Sequence, residues 1–118
     1  MMGMAEILRI LWTDACTVTV REPVTDPETH LTDFQEREIL TDEPCRVSFQ
    51  SVAAAGEGST AAVTQTVKLF LRPDVKIPPG SRITVVRDGN QLLYTRSGEP
   101  ARYPGHQEIQ LELWQKWA

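Results

Sequence analysis

Alternation of apolar and polar residues is the dominant pattern along this chain. A period of two is typical of strands with one buried face. The segments between the alternating stretches are rich in Pro, Gly, Asp and Asn, which favour turns. The pattern predicts seven short strands, over residues 16–20, 34–40, 45–51, 63–71, 82–86, 91–95 and 107–117.

Turn-forming residues define several of the predicted boundaries. Asp88-Gly89-Asn90 predicts a tight hairpin, because the turn requires positive φ angles. Asp42-Glu43-Pro44 predicts a turn between two separate strands. Residues 23–27 contain two prolines and predict a turn-rich connection. Residues 97–105 predict an irregular loop, since they contain two glycines and two prolines.

The second and third predicted strands differ in character. Residues 34–40 are highly charged, which favours an edge or half-exposed strand. In residues 45–51, Cys45, Val47 and Phe49 share one face and are predicted to be buried.

The last predicted strand contains two of the three tryptophans. Ile109, Leu111 and Leu113 are predicted to point inward, and Trp117 has the same parity and would close the core. Trp114 falls on the opposite face. It is either an anchor for a protein interface or the cover of a helix near the N-terminus.

That helix is predicted over residues 5–12, where the apolar residues fall within two helical turns. The chain is therefore predicted to be mainly β. We expect a small antiparallel β-barrel or sandwich of about seven strands, preceded by a short N-terminal helix, in a single domain over residues 1–118.

Composition narrows the possible partners. The 118 residues are 41% hydrophobic and 24% charged, with a formal net charge of −4. This acidic balance argues against a nucleic-acid-binding protein. There is no apolar run of about 20 residues and no secretory signal pattern, so we expect a soluble, intracellular protein without a membrane partner.

The sequence offers little chemistry for catalysis. Cys16 and Cys45 are predicted to be small buried residues, with a disulfide as the less favoured interpretation. His30 and His106 are predicted to have structural or loop roles, and the scattered cysteines and histidines do not have the spacing of a metal site. We expect no catalytic residues, no metal, no cofactor and no enzymatic activity. A small hydrolase with a Cys/His pair assembled in space is the alternative.

A run of small residues separates the third and fourth predicted strands. This tongue contains Ala53, Ala54, Ala55, Gly56, Glu57, Gly58, Ser59, Thr60, Ala61 and Ala62, within a predicted flexible loop at residues 52–63. It has no large apolar side chain with which to offset the entropy of ordering. It is either a tolerated insertion or an arm that orders on a partner.

Several motifs resemble a known family of small neck proteins from tailed phages and PBSX-type prophages. The resemblance covers nearly the whole chain in order and spacing. The motifs are Trp12-x-Asp14-x-Cys16-Thr17-Val18, Thr25-Asp26-Pro27-Glu28-Thr29, Pro44-Cys45-Arg46-x-Ser48, Lys68-Leu69-Phe70-Leu71-x-Pro73, Ile77-Pro78-x-Gly80-Ser81, Ser97-Gly98-Glu99-Pro100-Ala101 and His106-Gln107-Glu108-Ile109-x-Leu111-Glu112-Leu113, with Trp117-Ala118 at the end.

The resemblance implies a head-closure or head–tail connector protein, similar to the lambda head–tail joining type. Copies would form a ring, commonly dodecameric in this class, in the virion neck after assembly in the host cytoplasm. Portal and adaptor proteins would lie above it and tail-terminator or tail proteins below. DNA would pass through the lumen without specific binding, which an acidic chain suits. The tongue would then be a partner-binding arm. A tail terminator or another neck-ring subunit is the alternative.

Overall fold

Seven antiparallel strands form a single sheet in a computed structural model that describes residues 11–53 and 63–117. The strands are β1 (Asp14–Thr25), β2 (Thr32–Ala53), β3 (Val63–Leu71), β4 (Arg82–Arg87), β5 (Asn90–Arg96), β6 (Ala101–Arg102) and β7 (Gln107–Leu113). The protein is therefore mainly β, as the sequence predicts. The predicted helix, residues 5–12, falls almost entirely outside the described residues, and residues 12–53 and 63–117 contain no helical element.

The strand order is β3-β2-β1-β4-β5-β7-β6, and β3 also pairs with β7. This additional pairing runs from Val67 opposite Leu111 to Leu71 opposite Gln107. It joins β3, at one end of the strand order, to β7, next to the other end, so that every strand except the two-residue β6 has at least two neighbours. Closure satisfies backbone groups that would otherwise form open sheet edges.

The inward faces of the strands form one hydrophobic core together with Val75 and Ile77 from the connection between β3 and β4. Its members are Cys16, Val18, Cys45, Val47, Leu69, Leu71, Val75, Ile77, Ile83, Val85, Tyr94, Ile109 and Leu111. They alternate with more exposed residues in β3, β4 and β7, which confirms the predicted period of two. Cys16 and Cys45 are both free and fully buried, as predicted.

Two buried polar side chains connect elements through backbone groups. The Asp14 carboxylate accepts a 2.9 Å hydrogen bond from the backbone N–H of Val47, which joins β1 to β2. The Gln107 amide nitrogen donates to the carbonyls of Arg72 and Val75, at 2.9 and 2.6 Å. These bonds fix the segment after β3 against β7 and satisfy the buried amide nitrogen of Gln107, whereas its Oε1 has no hydrogen-bond partner among the described residues.

The second strand is continuous where the sequence predicted two strands and a turn. Residues 34–40 and 45–51 both belong to β2, so the prediction of a turn at residues 42–44 was wrong. Asp42 adopts a φ of 48°, and its backbone N–H donates to the Thr17 hydroxyl at 3.3 Å. The pairing register with β1 shifts twice nearby. Here the turn-forming residue produces a β-bulge, which bends the strand without ending it.

The predicted hairpin at Asp88 and Gly89 is confirmed. Both residues have positive φ, 51° and 79°, and Arg87 pairs directly with Asn90. A two-residue turn of this kind matches the right-handed twist of its flanking strands.

Three predictions about the ends of strands were wrong. Leu113 is 72% exposed because the pairing of β7 with β3 stops at Leu111, so no strand covers it on that side. Phe49 is 41% exposed, and its ring lies 5.6 Å from the Arg87 guanidinium. Trp117 is half-buried beyond the end of β7 and does not extend the strand into the core.

The loop predicted over residues 97–105 contains the short β6.

Replacement of Asp14 tests the role of its buried hydrogen bond. We expect Asp14→Ala to lower the free energy of unfolding by about 1–3 kcal/mol, because the Val47 N–H loses its partner. Urea denaturation followed by tryptophan fluorescence measures the change. Glu99→Ala is the control, with an expected change below about 0.5 kcal/mol for a carboxylate that is 90% exposed. Equal effects of the two substitutions would contradict this role for Asp14.

Candidate assembly surface

A two-stranded ribbon extends beyond the rest of the sheet. Residues 20–40, called the arm below, contain the end of β1, the start of β2 and the turn between them. β4 pairs with β1 only from Ala15 to Thr19, and β3 pairs with β2 only from Arg46 onward. Within the arm, the two strands therefore pair only with each other. An isolated two-stranded ribbon is marginally stable in water, so this element is suited to bind a partner.

The tip of the arm is an ordered turn. The backbone N–H of Asp26 donates to the Leu31 carbonyl at 2.9 Å, and the N–H of His30 donates to the Asp26 carbonyl at 2.8 Å. An Asp26 carboxylate oxygen also accepts the backbone N–H of Glu28 at 2.8 Å. His30 has a φ of 57° and is exposed. Its place in the turn agrees with the predicted loop role.

The arm exposes large apolar side chains. Leu31 is 70% exposed, Phe34 is 54% exposed and Val24 is 42% exposed. The guanidinium of Arg21 lies 4.1 Å from the centroid of the Phe34 ring, a cation–π contact across the ribbon. A group of exposed apolar residues on a projecting element is a feature of interaction surfaces.

Charge is also concentrated in the arm. Residues 20–40 contain six acidic and two basic side chains, a net charge of −4. The other residues contain ten of each sign, so the arm accounts for the formal net charge of the whole chain. Along β2, the seven residues from Thr32 to Glu38 are all exposed. The acidic side chains on this ribbon are thus available to a partner.

The base of the arm is held by a cluster of aromatic and charged residues. The Arg82 guanidinium pairs with Glu36 at 2.5 Å, and the Trp117 indole N–H donates to the same carboxylate at 3.4 Å. The rings of Trp114 and Trp117 meet edge to face at 4.6 Å. Arg82 lies 5.3 Å from the Trp117 centroid and 6.0 Å from that of Trp114. The hydrogen bond from Arg82 lowers the pKa of Glu36.

Trp114 follows the last strand and is half-buried. Its backbone N–H donates to the Leu93 carbonyl at 3.1 Å. It also lines a groove of about 730 Å³, together with Leu111 and Leu113. Its predicted role as an interface anchor stays a prediction.

Of the predicted tongue, the structure describes only the backbone of Ala53. Ala53 is the last residue of β2, and Val63 begins β3 opposite it. Residues 54–62 lie outside the described residues. The arm at residues 20–40 is a second candidate that the sequence analysis missed. Its signals are the acidic composition and the alternation on both sides of residues 26–31. The same signals also fit the turn-rich connection and the separate edge strand that the sequence predicts there.

The cysteines and histidines do not form a reactive cluster in the described ranges. A hydrogen bond with Cys16, together with burial, raises the pKa of the Cys45 thiol, so the nucleophilic thiolate is disfavoured. His106 stacks on Tyr103 with ring centroids 4.9 Å apart. No group of three or more His, Cys, Asp and Glu residues suited to a metal ion occurs among residues 11–53 and 63–117. The same ranges hold no helix long and apolar enough to span a bilayer.

Replacement of Arg82 tests the cluster at the base of the arm. Because the pKa of Glu36 is depressed, the ion pair is intact at neutral pH and is lost as the pH falls through that pKa. We expect Arg82→Gln to raise the pKa of Glu36 toward its ordinary value of 4.5, measured by carboxyl ¹³C NMR. Arg37→Gln is the control, since Arg37 pairs with Glu22. An unchanged Glu36 pKa in Arg82→Gln would show that the pair does not form.

Comparisons with known proteins do not establish a family. No family model matches the chain, and no curated protein matches it. Among solved structures, the chain is similar to the protein xkdH of the phage-like element PBSX of Bacillus subtilis. The two are 10% identical, the TM-score is 0.47, and the match covers 85% of this chain and 93% of that one. This likeness is too distant to transfer a function.

Proposed function

We propose that this chain is a structural subunit of the neck of a tailed phage or prophage particle. Copies form a ring that closes the DNA-filled head and docks the tail. The observation that carries the proposal is the exposed arm at residues 20–40, of which Ile39 and Leu40 at the base pack against the core while residues 23–38 are exposed. The choice of the neck ring over other assemblies rests on the sequence motifs that resemble head-closure proteins.

The pairing of the strands supports a ring subunit. The chain of pairings from β3 through β2, β1, β4, β5 and β7 returns to β3, and we propose that these strands form a small barrel. A closed body of this kind has few open edges through which copies could aggregate. Assembly would then occur through projecting elements, and the arm is one of them.

The charge distribution supports passage of DNA through such a ring. A surface binds DNA mainly by neutralising phosphates with lysine and arginine. The chain has an excess of four acidic residues. A lumen lined by such subunits would guide DNA without holding it.

Nothing in the described residues favours the small hydrolase. Both thiols are fully buried, and the thiol that hydrogen-bonds to Cys45 is that of Cys16. A nucleophilic cysteine requires an adjacent base and access to a substrate. We therefore propose a non-enzymatic protein.

Electron cryo-microscopy of particles tests the proposed position. We expect density for this protein as a ring between the portal and the tail, and separate heads and tails when its gene is inactivated. A ring at the end of the tail tube would instead support the tail terminator. Absence from the particle, or a position in the capsid shell, would contradict the proposal.

A deletion tests, in the same particles, whether the tongue binds a partner. Removal of residues 54–62 is expected to leave a folded protein, because this segment has no large apolar side chain for the core. It is expected to lower the yield of joined particles severely. Normal infectivity of the deletion would show that the tongue is a tolerated insertion.

A further inference from the structure

We propose that the arm of one copy binds a defined face of a second copy, so that the contact between neighbours joins two unlike surfaces. This inference rests on the proposed function, which requires copies of the chain to associate. The face is called the aromatic-basic face below. It consists of Arg46, Lys68, Phe70, Arg102, Tyr103 and His106.

The aromatic part of this face lies on the outside of the sheet. Leu69 and Leu71 of β3 are fully buried, so Phe70 between them points outward. The His106 ring lies 6.1 Å from the Phe70 ring, and Tyr103 stacks on His106 at 4.9 Å. Tyr103 is 47% exposed. Three aromatic rings thus form a continuous row on the surface.

Basic side chains surround the aromatic row. Arg46 lies directly opposite Phe70 in the pairing of β2 with β3, and Lys68 is two residues from Phe70 on the same face. Arg102 precedes Tyr103. None of these three basic residues forms a salt bridge within residues 11–53 and 63–117. Glu108, opposite Phe70 on β7, is the acidic neighbour, so the face retains a net positive charge.

The arm has the complementary properties. Of its six carboxylates, only Glu22 and Glu36 form salt bridges with other described residues. The other four are exposed and are Asp26, Glu28, Asp33 and Glu38. The same ribbon exposes Leu31 and Phe34, which can pack on aromatic rings. The acidic and apolar groups of the arm therefore complement the basic and aromatic groups of the aromatic-basic face.

The two surfaces do not meet within one copy. Among the described residues, the side-chain hydrogen bonds and ion pairs of the arm run within the arm, to the adjacent Thr41, or to Arg82 and Trp117 at its base. Within the described part of the chain, the aromatic contacts of Phe70, Tyr103 and His106 involve only one another. Because the surfaces are different, the contact is head to tail. Contacts of this type close into rings when the rotation between neighbours permits.

Charge reversal tests this contact in the purified full-length protein. The arm variant carries Glu28→Lys and Asp33→Lys, the face variant carries Arg46→Glu and Lys68→Glu, and the swapped variant carries all four substitutions. Glu99→Lys is the control, because it reverses a carboxylate that is 90% exposed and outside both surfaces. Sedimentation velocity at low and high salt measures association, and circular dichroism verifies folding.

We expect the wild type and the control to associate at low salt and to weaken at high salt, since screening reduces contacts between exposed charges. The arm variant and the face variant should each associate about 100-fold more weakly, because attraction becomes repulsion. The swapped variant should recover association to within about tenfold of the wild type. Mixing the arm and face variants in equal amounts should restore association that neither shows alone, because each arm then has the opposite charge to the face of the other variant.

Three results would overturn the inference. They are a wild-type protein that stays monomeric at millimolar concentration, an arm variant that associates like the wild type, and a folded swapped variant that does not recover. If the swapped variant is unfolded, the arm variant alone tests the inference. Both substitutions of the arm variant are at exposed positions, so its fold should be unaffected. A protein located outside the neck by microscopy would instead contradict the proposed function and leave this contact standing.

Discussion

The second strand is the constraint on which the rest of the structure depends. β2 has 22 residues, far more than the five or six of an average strand. Its C-terminal part pairs with β3 inside the body, and its N-terminal part pairs with β1 in the arm. One continuous strand therefore links the core to the projecting element. The bulge near Asp42 lies between the two parts, where it bends the strand without breaking the pairing.

The body and the arm are stabilised by different forces. The body buries 13 apolar side chains in one core, and the pairing of β3 with β7 completes its backbone hydrogen bonds. The arm has few buried residues and depends on its turn at Asp26, on cross-strand pairs and on the cluster around Glu36. This contrast explains how a partner could bind the arm without disturbing the core. The charged and apolar groups of the arm lie at the surface, where a second molecule can reach them.

Much of the fold could be predicted from the sequence because the signals were local. The hairpin at Asp88 and Gly89 and the buried face of β3 follow from turn chemistry and from alternation. Cys16 and Cys45 are buried as predicted, since each lies on the inward face of an alternating run.

Other features depended on tertiary context that the sequence does not express. Asp42 favours both a turn and a bulge, and only the pairing of β2 with β1 determines which one forms. The exposure of Leu113 follows from the residue at which β3 stops pairing with β7. The arm was missed for the same reason. Its alternation predicts strands, but where the neighbouring strands end determines that it projects from the sheet.

Hydrogen exchange measured by mass spectrometry tests the central claim that the arm is an exposed element used for assembly. The backbone amides of residues 20–38 should exchange quickly in the monomer, whereas those of β4 should exchange slowly. On assembly, the amides of the arm should become protected and those of β4 should change little. An arm that is as protected as β4 in the monomer, or that gains no protection on assembly, would contradict the account.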